Sequence, residues 1–165
     1  LKADGRATSG PELDRMFNEF LKYYSAHIAD RSRPFPGLES ALDALAVKGC
    51  KLAVCTNKLE SLSRQLLDAL DLSRRFAVIC GQDTFGTMKP DPEVLRRTIR
   101  ESGGDVGRAV MIGDSATDIN TAKAANVPVV AVDFGYTEIP VNRLGPDRII
   151  SHFDALPEAV FDLMA

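Results

Sequence analysis

Short apolar runs alternate with helix-forming segments along most of this chain, and this pattern constrains its fold more than any other feature. The runs are continuously apolar, which is typical of strands that are buried on both faces of a sheet. They lie at residues 51–56, 76–81, 109–113 and 128–135, with a shorter fifth run at 147–151. Strands separated by helices pair in parallel, so the sequence predicts a three-layer α/β fold with an open parallel sheet.

The segments between the runs carry helical spacing and helix stop signals. Helices are predicted at residues 38–49, 59–72, 91–104 and 118–126, and near 154–164. A longer amphipathic helix is predicted at residues 9–30, and the proline-rich stretch at 33–37 ends it. We therefore expect two parts in this chain, residues 1–33 and residues 34–165.

Composition and charge exclude several classes of protein. The chain has 165 residues and a net charge of −3, so nothing indicates binding to nucleic acid or to an anionic membrane. No apolar stretch approaches the ~20 residues of a membrane-spanning helix. The three cysteines are odd in number and two of them lie in apolar runs, which predicts buried free thiols in a reducing compartment, the cytoplasm. They show no Cys-x-x-Cys spacing and no Cys/His cluster, so no zinc site is expected.

Polar side chains stand where three of the predicted strands end, and ligands of open parallel sheets bind at those ends. Thr56 and Asn57 follow the first run, Lys89 follows the second, and Asp114 and Asp118 follow the third. Helix capping would explain Thr56 with Asn57, and one of the two aspartates, but it explains both aspartates poorly.

A phosphoryl group bound with Mg²⁺ accounts for this set of side chains. Two neighbouring carboxylates repel each other unless a positive group lies between them, and Mg²⁺ prefers such oxygen ligands. A hydroxyl and an ammonium group would hold the phosphoryl oxygens, while the metal neutralises developing charge. The strand ends therefore predict chemistry on a phosphate ester.

Three motifs, in this order, resemble those of the haloacid dehalogenase-like hydrolases and, within them, the phosphoglycolate phosphatase-like group. The second motif with its lead-in is PFPGLESALDALAVKGCKLAVCTNK, the third is MKPDP, and the fourth is VMIGDSATDINTAKAANV. The later stretch DFGYTEIP is similar to the loop after the next strand, and we expect Tyr136 and Glu138 at the mouth of the site. The resemblance extends from about Pro34 to the C-terminus.

The resemblance implies a role for each of the five candidate residues. Thr56 would bind the transferred phosphoryl group, helped by the backbone around Asn57. Lys89 would steady the negative charge of nucleophile and phosphate. Asp114 and Asp118 would hold Mg²⁺, with Asp118 acting through water.

The resemblance also implies a Rossmann-like sheet with a partial helical cap, of which residues 1–33 are the remnant. The cap would select a small phosphorylated metabolite, with phosphoglycolate favoured. Among the alternatives, a phosphomutase or pyrophosphatase of the same fold stays open, as does a non-catalytic binding or regulatory domain. A dehalogenase is disfavoured, because its chemistry would leave the acidic pair without a purpose.

One part of the family's machinery has no match in this sequence. The family's nucleophile is an aspartate in a D-x-D-G-T motif, on a central strand between the first and third runs. Here Asp4 and Gly5 match half of that motif, but Lys2 stands at the nucleophile's place, so a turn is the simpler interpretation. We therefore expect an N-terminally truncated phosphatase that is inactive by itself.

The loss of a central strand would expose two sheet edges, which proteins normally avoid. We expect the sheet to compensate in one of two ways. Residues 51–56 would pair directly with residues 109–113, or the exposed edges would pair with a second copy of the chain and form a homo-oligomer.

Overall fold

The structure is a computed structural model that describes residues 10–164. Lys2, Asp4 and Gly5, on which the half-motif depends, lie outside the described residues. The chain divides into two compact units between Ser32 and Arg33. Within the part of the chain that the structure describes, no helix has both the length and the apolar character needed to cross a bilayer.

The first unit contains one long helix, α1 (Gly10–Ala26). It is shorter than the predicted span, because turns replace the helix after Ala26. None of its residues is buried, and most of its apolar side chains, including Phe17 and Phe20, are exposed.

The second unit alternates helices and strands, as the sequence predicts. Its helices are α2 (Leu38–Val47), α3 (Glu60–Ala69), α4 (Pro92–Glu101), α5 (Ala116–Ala125) and α6 (Leu156–Met164). Its strands are β1 (Ala53–Cys55), β2 (Val78–Cys80), β3 (Met111–Gly113), β4 (Val129–Val132) and β5 (Arg148–Ile150). The strands are shorter than the apolar runs because only part of each run pairs with a neighbouring strand.

The strand β4 explains why the apolar runs do not alternate. Val129 and Ala131 pack in a cluster with side chains of α4 and α5, whereas Val130 and Val132 pack in a second cluster with α2 and α6. Successive side chains of a strand point to opposite faces, so both faces of β4 are covered by helices. This three-layer arrangement confirms the predicted α/β class.

The strands form two parallel sheets. The strand β1 pairs with β2, with Cys55 opposite Cys80, and the second sheet has the order β3-β4-β5. Among the described residues, β1 and β3 are not hydrogen-bonded to each other. The prediction that residues 51–56 pair directly with residues 109–113 was therefore wrong.

A cleft of about 820 Å³ lies between these two strands. Leu52 and Ala53 line it on the β1 side, and Val110 and Ile112 line it on the β3 side. Ala53 is exposed although it belongs to an apolar strand. The cleft thus leaves one edge of β1 and one edge of β3 without a partner strand in the described chain.

Candidate functional site

The candidate residues lie at the carboxyl ends of the strands, but the structure connects them unequally. Thr56 and Asn57 directly follow β1, and Asp114 directly follows β3. Lys89 lies in the loop between β2 and α4, and it contacts both Asn57 and Asp118. The Thr56 hydroxyl accepts a hydrogen bond from the backbone N–H of Lys58 at 3.1 Å. Thr56 is therefore held by its own turn and not by the other candidates.

Lys89 and Asp118 form the central ion pair of the site. Lys89 Nζ lies 2.6 Å from Asp118 Oδ1, and each side chain is only 9% exposed. Such a buried pair is stable only where further hydrogen bonds satisfy the remaining polar atoms. The pair therefore depends on what surrounds the carboxylate of Asp118.

The second oxygen of Asp118 is used by the start of α5. Asp118 Oδ2 accepts hydrogen bonds from the Ser115 hydroxyl at 2.7 Å and from the backbone N–H groups of Asp114 and Ser115 at 3.2 Å each. Ser115 and Asp118 together form a capping box. The helix begins at Ala116, before the predicted residue 118, because Ser115 is its cap.

These contacts decide the charge state of Asp118. Burial alone would raise the pKa of this carboxyl, but the Lys89 ammonium, the Ser115 hydroxyl and the Asp114 N–H together hold the pKa below its ordinary value. Asp118 is therefore a carboxylate at neutral pH, and it keeps Lys89 in place as a cation.

Asp114 has a freer carboxylate. Its Oδ2 accepts a hydrogen bond from the backbone N–H of Tyr136 at 2.8 Å. No hydrogen bond to its Oδ1 is found within residues 10–164. Asp114 can therefore offer an oxygen to a cation, whereas both oxygens of Asp118 are already engaged.

The two carboxylates fit a Mg²⁺ ion unequally. Carboxylate oxygens suit this ion, and Asp114 has the chemistry of a direct ligand. Both oxygens of Asp118 already accept hydrogen bonds, so Asp118 would meet an ion only through water. Within residues 10–164, no group of three or more Asp, Glu, His or Cys side chains could hold a metal ion, so these residues alone do not form a complete metal site.

Asn57 holds the backbone of Lys89. Its Oδ1 accepts a hydrogen bond from the Lys89 N–H at 2.9 Å, and its Nδ2 donates one to the Lys89 carbonyl oxygen at 2.9 Å. The side-chain amide thus pairs with both polar groups of one residue, as a neighbouring strand would. Asn57 fixes the loop from which Lys89 reaches Asp118.

Replacing Asn57 by alanine removes both hydrogen bonds, and we expect the free energy of unfolding to fall by about 1–3 kcal/mol. Urea unfolding followed by circular dichroism measures this change. Asn120→Ala is the matched control, because Asn120 is exposed and no hydrogen bond of its side chain is found in the described part of the chain. Equal stability of the two variants would show that the contacts between Asn57 and Lys89 do not hold the loop.

Sequence reasoning missed two features of this site, the Ser115 cap and the approach of the loop at residues 135–136 to Asp114. The Ser115 cap could have been found, because a serine three residues before an acidic residue is a known helix-start pattern. The approach of Gly135 and the Tyr136 N–H to Asp114 has no local signal, because 22 residues separate Tyr136 from Asp114. Glu138 is exposed on the same loop, and no contact with the candidate residues is found for it in the described ranges.

The cysteines beside the site are not reactive groups. Burial raises the pKa of both the Cys55 and the Cys80 thiols. Both are free, as is Cys50. Thiols with raised pKa values stay protonated at neutral pH, and the thiolate is the nucleophilic form. The site therefore depends on oxygen and ammonium groups.

Comparison with known proteins decides the family. The family model of the haloacid dehalogenase-like hydrolases matches residues 5–132, which is most of the chain. The chain belongs to the haloacid dehalogenase-like hydrolases. The family predicted from the three motifs is thereby confirmed.

Similar proteins place the chain among the phosphatases of this family. It is 53% identical over 154 residues to a phosphoglycolate phosphatase of Mesorhizobium japonicum, with 93% of this chain and 68% of that protein covered. It is 46% identical over 159 residues to a phosphoglycolate phosphatase of Agrobacterium fabrum, with 95% and 68% covered. These relatives confirm that the chain is of the phosphatase type.

A solved structure supports the fold. A predicted phosphoglycolate phosphatase from Haemophilus somnus 129PT superposes with a TM-score of 0.90 at 27% sequence identity. The match covers 96% of this chain and 71% of that one. The predicted haloacid dehalogenase-like α/β fold is confirmed.

Proposed function

We propose that this chain supplies most of the active site of a Mg²⁺-dependent phosphatase that hydrolyses small phosphate monoesters, phosphoglycolate among them. The observation that best supports this proposal is the buried Lys89–Asp118 ion pair, with the freer carboxylate of Asp114 beside it. The two phosphoglycolate phosphatases at 53% and 46% identity support the substrate class.

The contacts of the candidate residues leave groups that would suit these roles. The Lys89 ammonium has three N–H donors and gives one to Asp118, so it would have two more for phosphoryl oxygens and for the nucleophile. The Thr56 hydroxyl can donate to a phosphoryl oxygen while its own oxygen accepts the Lys58 N–H. When bound at Asp114, Mg²⁺ would neutralise the charge that develops on the transferred group.

The reaction also needs a nucleophile, which we propose is an aspartate that lies outside residues 1–165. Its carboxylate oxygen would form a bond to phosphorus while the bond between phosphorus and the ester oxygen breaks, and the leaving oxygen would take a proton from a second aspartate of the same motif, which would recover a proton from the attacking water in the next step. Water would then hydrolyse the aspartyl-phosphate, releasing phosphate and restoring the carboxylate. Lys89 and Thr56 would hold the phosphoryl group through both steps.

The cleft between β1 and β3 supports this source of the nucleophile. A parallel strand placed there would find an unpaired edge on each side and apolar side chains around it. Its carboxyl end would lie beside Thr56 and Asp114, since parallel strands end at the same edge of a sheet. In the absence of such a strand, the same edges favour pairing with a second copy of the chain.

We also propose the cytoplasm as the location of this protein. Cys55 and Cys80 stand opposite each other on paired strands, and both thiols are free. Free neighbouring thiols are typical of a reducing compartment, which supports the proposal.

The test compares residues 1–165 alone with the full-length gene product. Both are assayed for hydrolysis of 4-nitrophenyl phosphate and of phosphoglycolate, with Mg²⁺ and with excess chelator. We expect turnover only from the full-length protein, and only with Mg²⁺. Turnover by residues 1–165 alone would overturn the proposed source of the nucleophile.

The assay also separates the phosphatase from the non-catalytic alternative. If the full-length protein is folded by circular dichroism and hydrolyses neither substrate, a binding or regulatory domain becomes the better interpretation. Hydrolysis of the aryl phosphate without hydrolysis of phosphoglycolate would keep the phosphatase and remove the proposed substrate.

A further inference from the structure

Gly135 lies unusually close to the side chain of Asp114. A Cβ atom at residue 135 would stand 2.2 Å from Asp114 Cβ and 2.4 Å from Asp114 Oδ2. Non-bonded atoms do not approach so closely, and Asp114 Cβ is too near the backbone to move aside. The backbone of Gly135 is not in the left-handed region. Glycine is therefore required here for space and not for conformation.

This close approach creates the contact that orients Asp114. The backbone N–H of Tyr136, the next residue, donates to Asp114 Oδ2 at 2.8 Å. The backbone N–H of Asp114 is held separately by Asp118 Oδ2 at 3.2 Å. Asp114 is thus fixed at its backbone by the first turn of α5 and at its carboxylate by the loop after β4.

The loop that carries Gly135 is itself anchored. The ring of Phe134 packs edge-to-face against the rings of Phe35 and Phe153, with centroids 5.2 Å and 5.1 Å away. One residue earlier, Asp133 Oδ2 accepts a hydrogen bond from the Ser151 hydroxyl at 2.6 Å. The N–H that faces Asp114 therefore comes from a backbone that is held on its other side.

We propose that the segment Gly135–Tyr136 is a positioning element for Asp114. It holds Oδ2 with a backbone N–H and leaves Oδ1 turned toward the cation. The tyrosine ring takes no part in this contact, because the donor is the main chain and Tyr136 is 87% exposed. The role of this segment in cation binding rests on the proposed function. The hydrogen bond from the Tyr136 N–H to Asp114 Oδ2 can be tested without metal.

The first test follows amide hydrogen exchange at residue 136 in the metal-free full-length protein. Gly135→Ala is expected to speed exchange at this amide at least tenfold, because the methyl group pushes the loop away from Asp114. Asp114→Ala should do the same by removing the acceptor, and it keeps the test valid if Gly135→Ala fails to fold. Gly107→Ala is the matched control, since the nearest atom to its Cβ lies 3.6 Å away. Unchanged exchange in Asp114→Ala would overturn the proposal.

The second test measures Mg²⁺ binding by calorimetry in the same proteins. We expect the dissociation constant of Gly135→Ala to rise at least tenfold and that of Gly107→Ala to stay unchanged. Equal, measurable affinity in Gly135→Ala and in the unmodified protein would overturn the positioning role alone. Absence of binding in the unmodified protein would overturn both this role and the metal assignment of the proposed function.

Discussion

Replacing Asp114 by asparagine is expected to lower Mg²⁺-dependent turnover of the full-length phosphatase by about three orders of magnitude. The amide keeps the shape of the side chain, and its oxygen can still accept the Tyr136 N–H. It lacks the negative charge that would hold the cation, so the electrostatic stabilisation of the transition state is lost. The measurements are kcat/KM on an aryl phosphate and the Mg²⁺ affinity by calorimetry.

The control for this variant is Asp162→Asn, which makes the same chemical change on α6, away from the candidate residues. Asp162 is exposed, and no hydrogen bond of its side chain is found within residues 10–164. It should keep turnover within about twofold, because an exposed side chain without partners contributes little to the site. If Asp114→Asn kept wild-type turnover and metal affinity, the metal would have to be held by other residues.

Replacing Lys89 by alanine is expected to lower the free energy of unfolding of residues 1–165 by about 2–4 kcal/mol. The change leaves the Asp118 carboxylate buried without its cation. Three hydrogen bonds to Asp118 Oδ2 remain, which keeps the loss below that of a wholly unpaired charge. Urea unfolding measures the effect.

Two further variants separate the buried charge from the loss of side-chain volume. Lys48→Ala, at an exposed position, should change stability by less than about 0.5 kcal/mol. The double variant Lys89→Ala with Asp118→Asn should be more stable than Lys89→Ala, because it lacks the same side-chain volume but leaves no buried charge. If the double variant were the less stable protein, packing and not charge would explain the loss.

Lys89→Ala also tests the role of Lys89 in the reaction of the full-length protein. We expect kcat to fall strongly, because the ammonium stabilises charge that develops in the transition state. A rise in KM with unchanged kcat would show instead that Lys89 only assists binding of the substrate.

The fold could be predicted because its determinants are local. The continuous apolar run at β4 reflects burial on both faces, and the helices α4 and α5 on one of these faces carry side-chain caps of their own. Helix α5 begins at Ala116 and not at the predicted residue 118, because Ser115 is its cap. Capping and function are not alternatives for Asp118, because its carboxylate takes part in the cap and also pairs with Lys89.

The features that could not be predicted depend on tertiary approach. The residues around position 135 carry no sequence signal that this glycine lies against Asp114. The contact depends on the tertiary packing of the loop, in which Phe134 is anchored against Phe35. The separation of β1 from β3 is also non-local. Two unpaired strand edges are expected to pair with each other, but a cleft lined by helices and by both strands separates β1 from β3.

The double use of the Asp118 carboxylate has a consequence for genetic experiments. Because one carboxylate starts α5 and also neutralises Lys89, a substitution at residue 118 changes the amount of folded protein as well as its chemistry. In a cell, a loss of 1–2 kcal/mol is enough to change abundance several-fold. A growth-based screen would score such a variant as catalytically dead even if each surviving molecule worked. The activity of a variant at residue 118 therefore has to be expressed per folded molecule, with the concentration of folded protein measured together with the rate of hydrolysis.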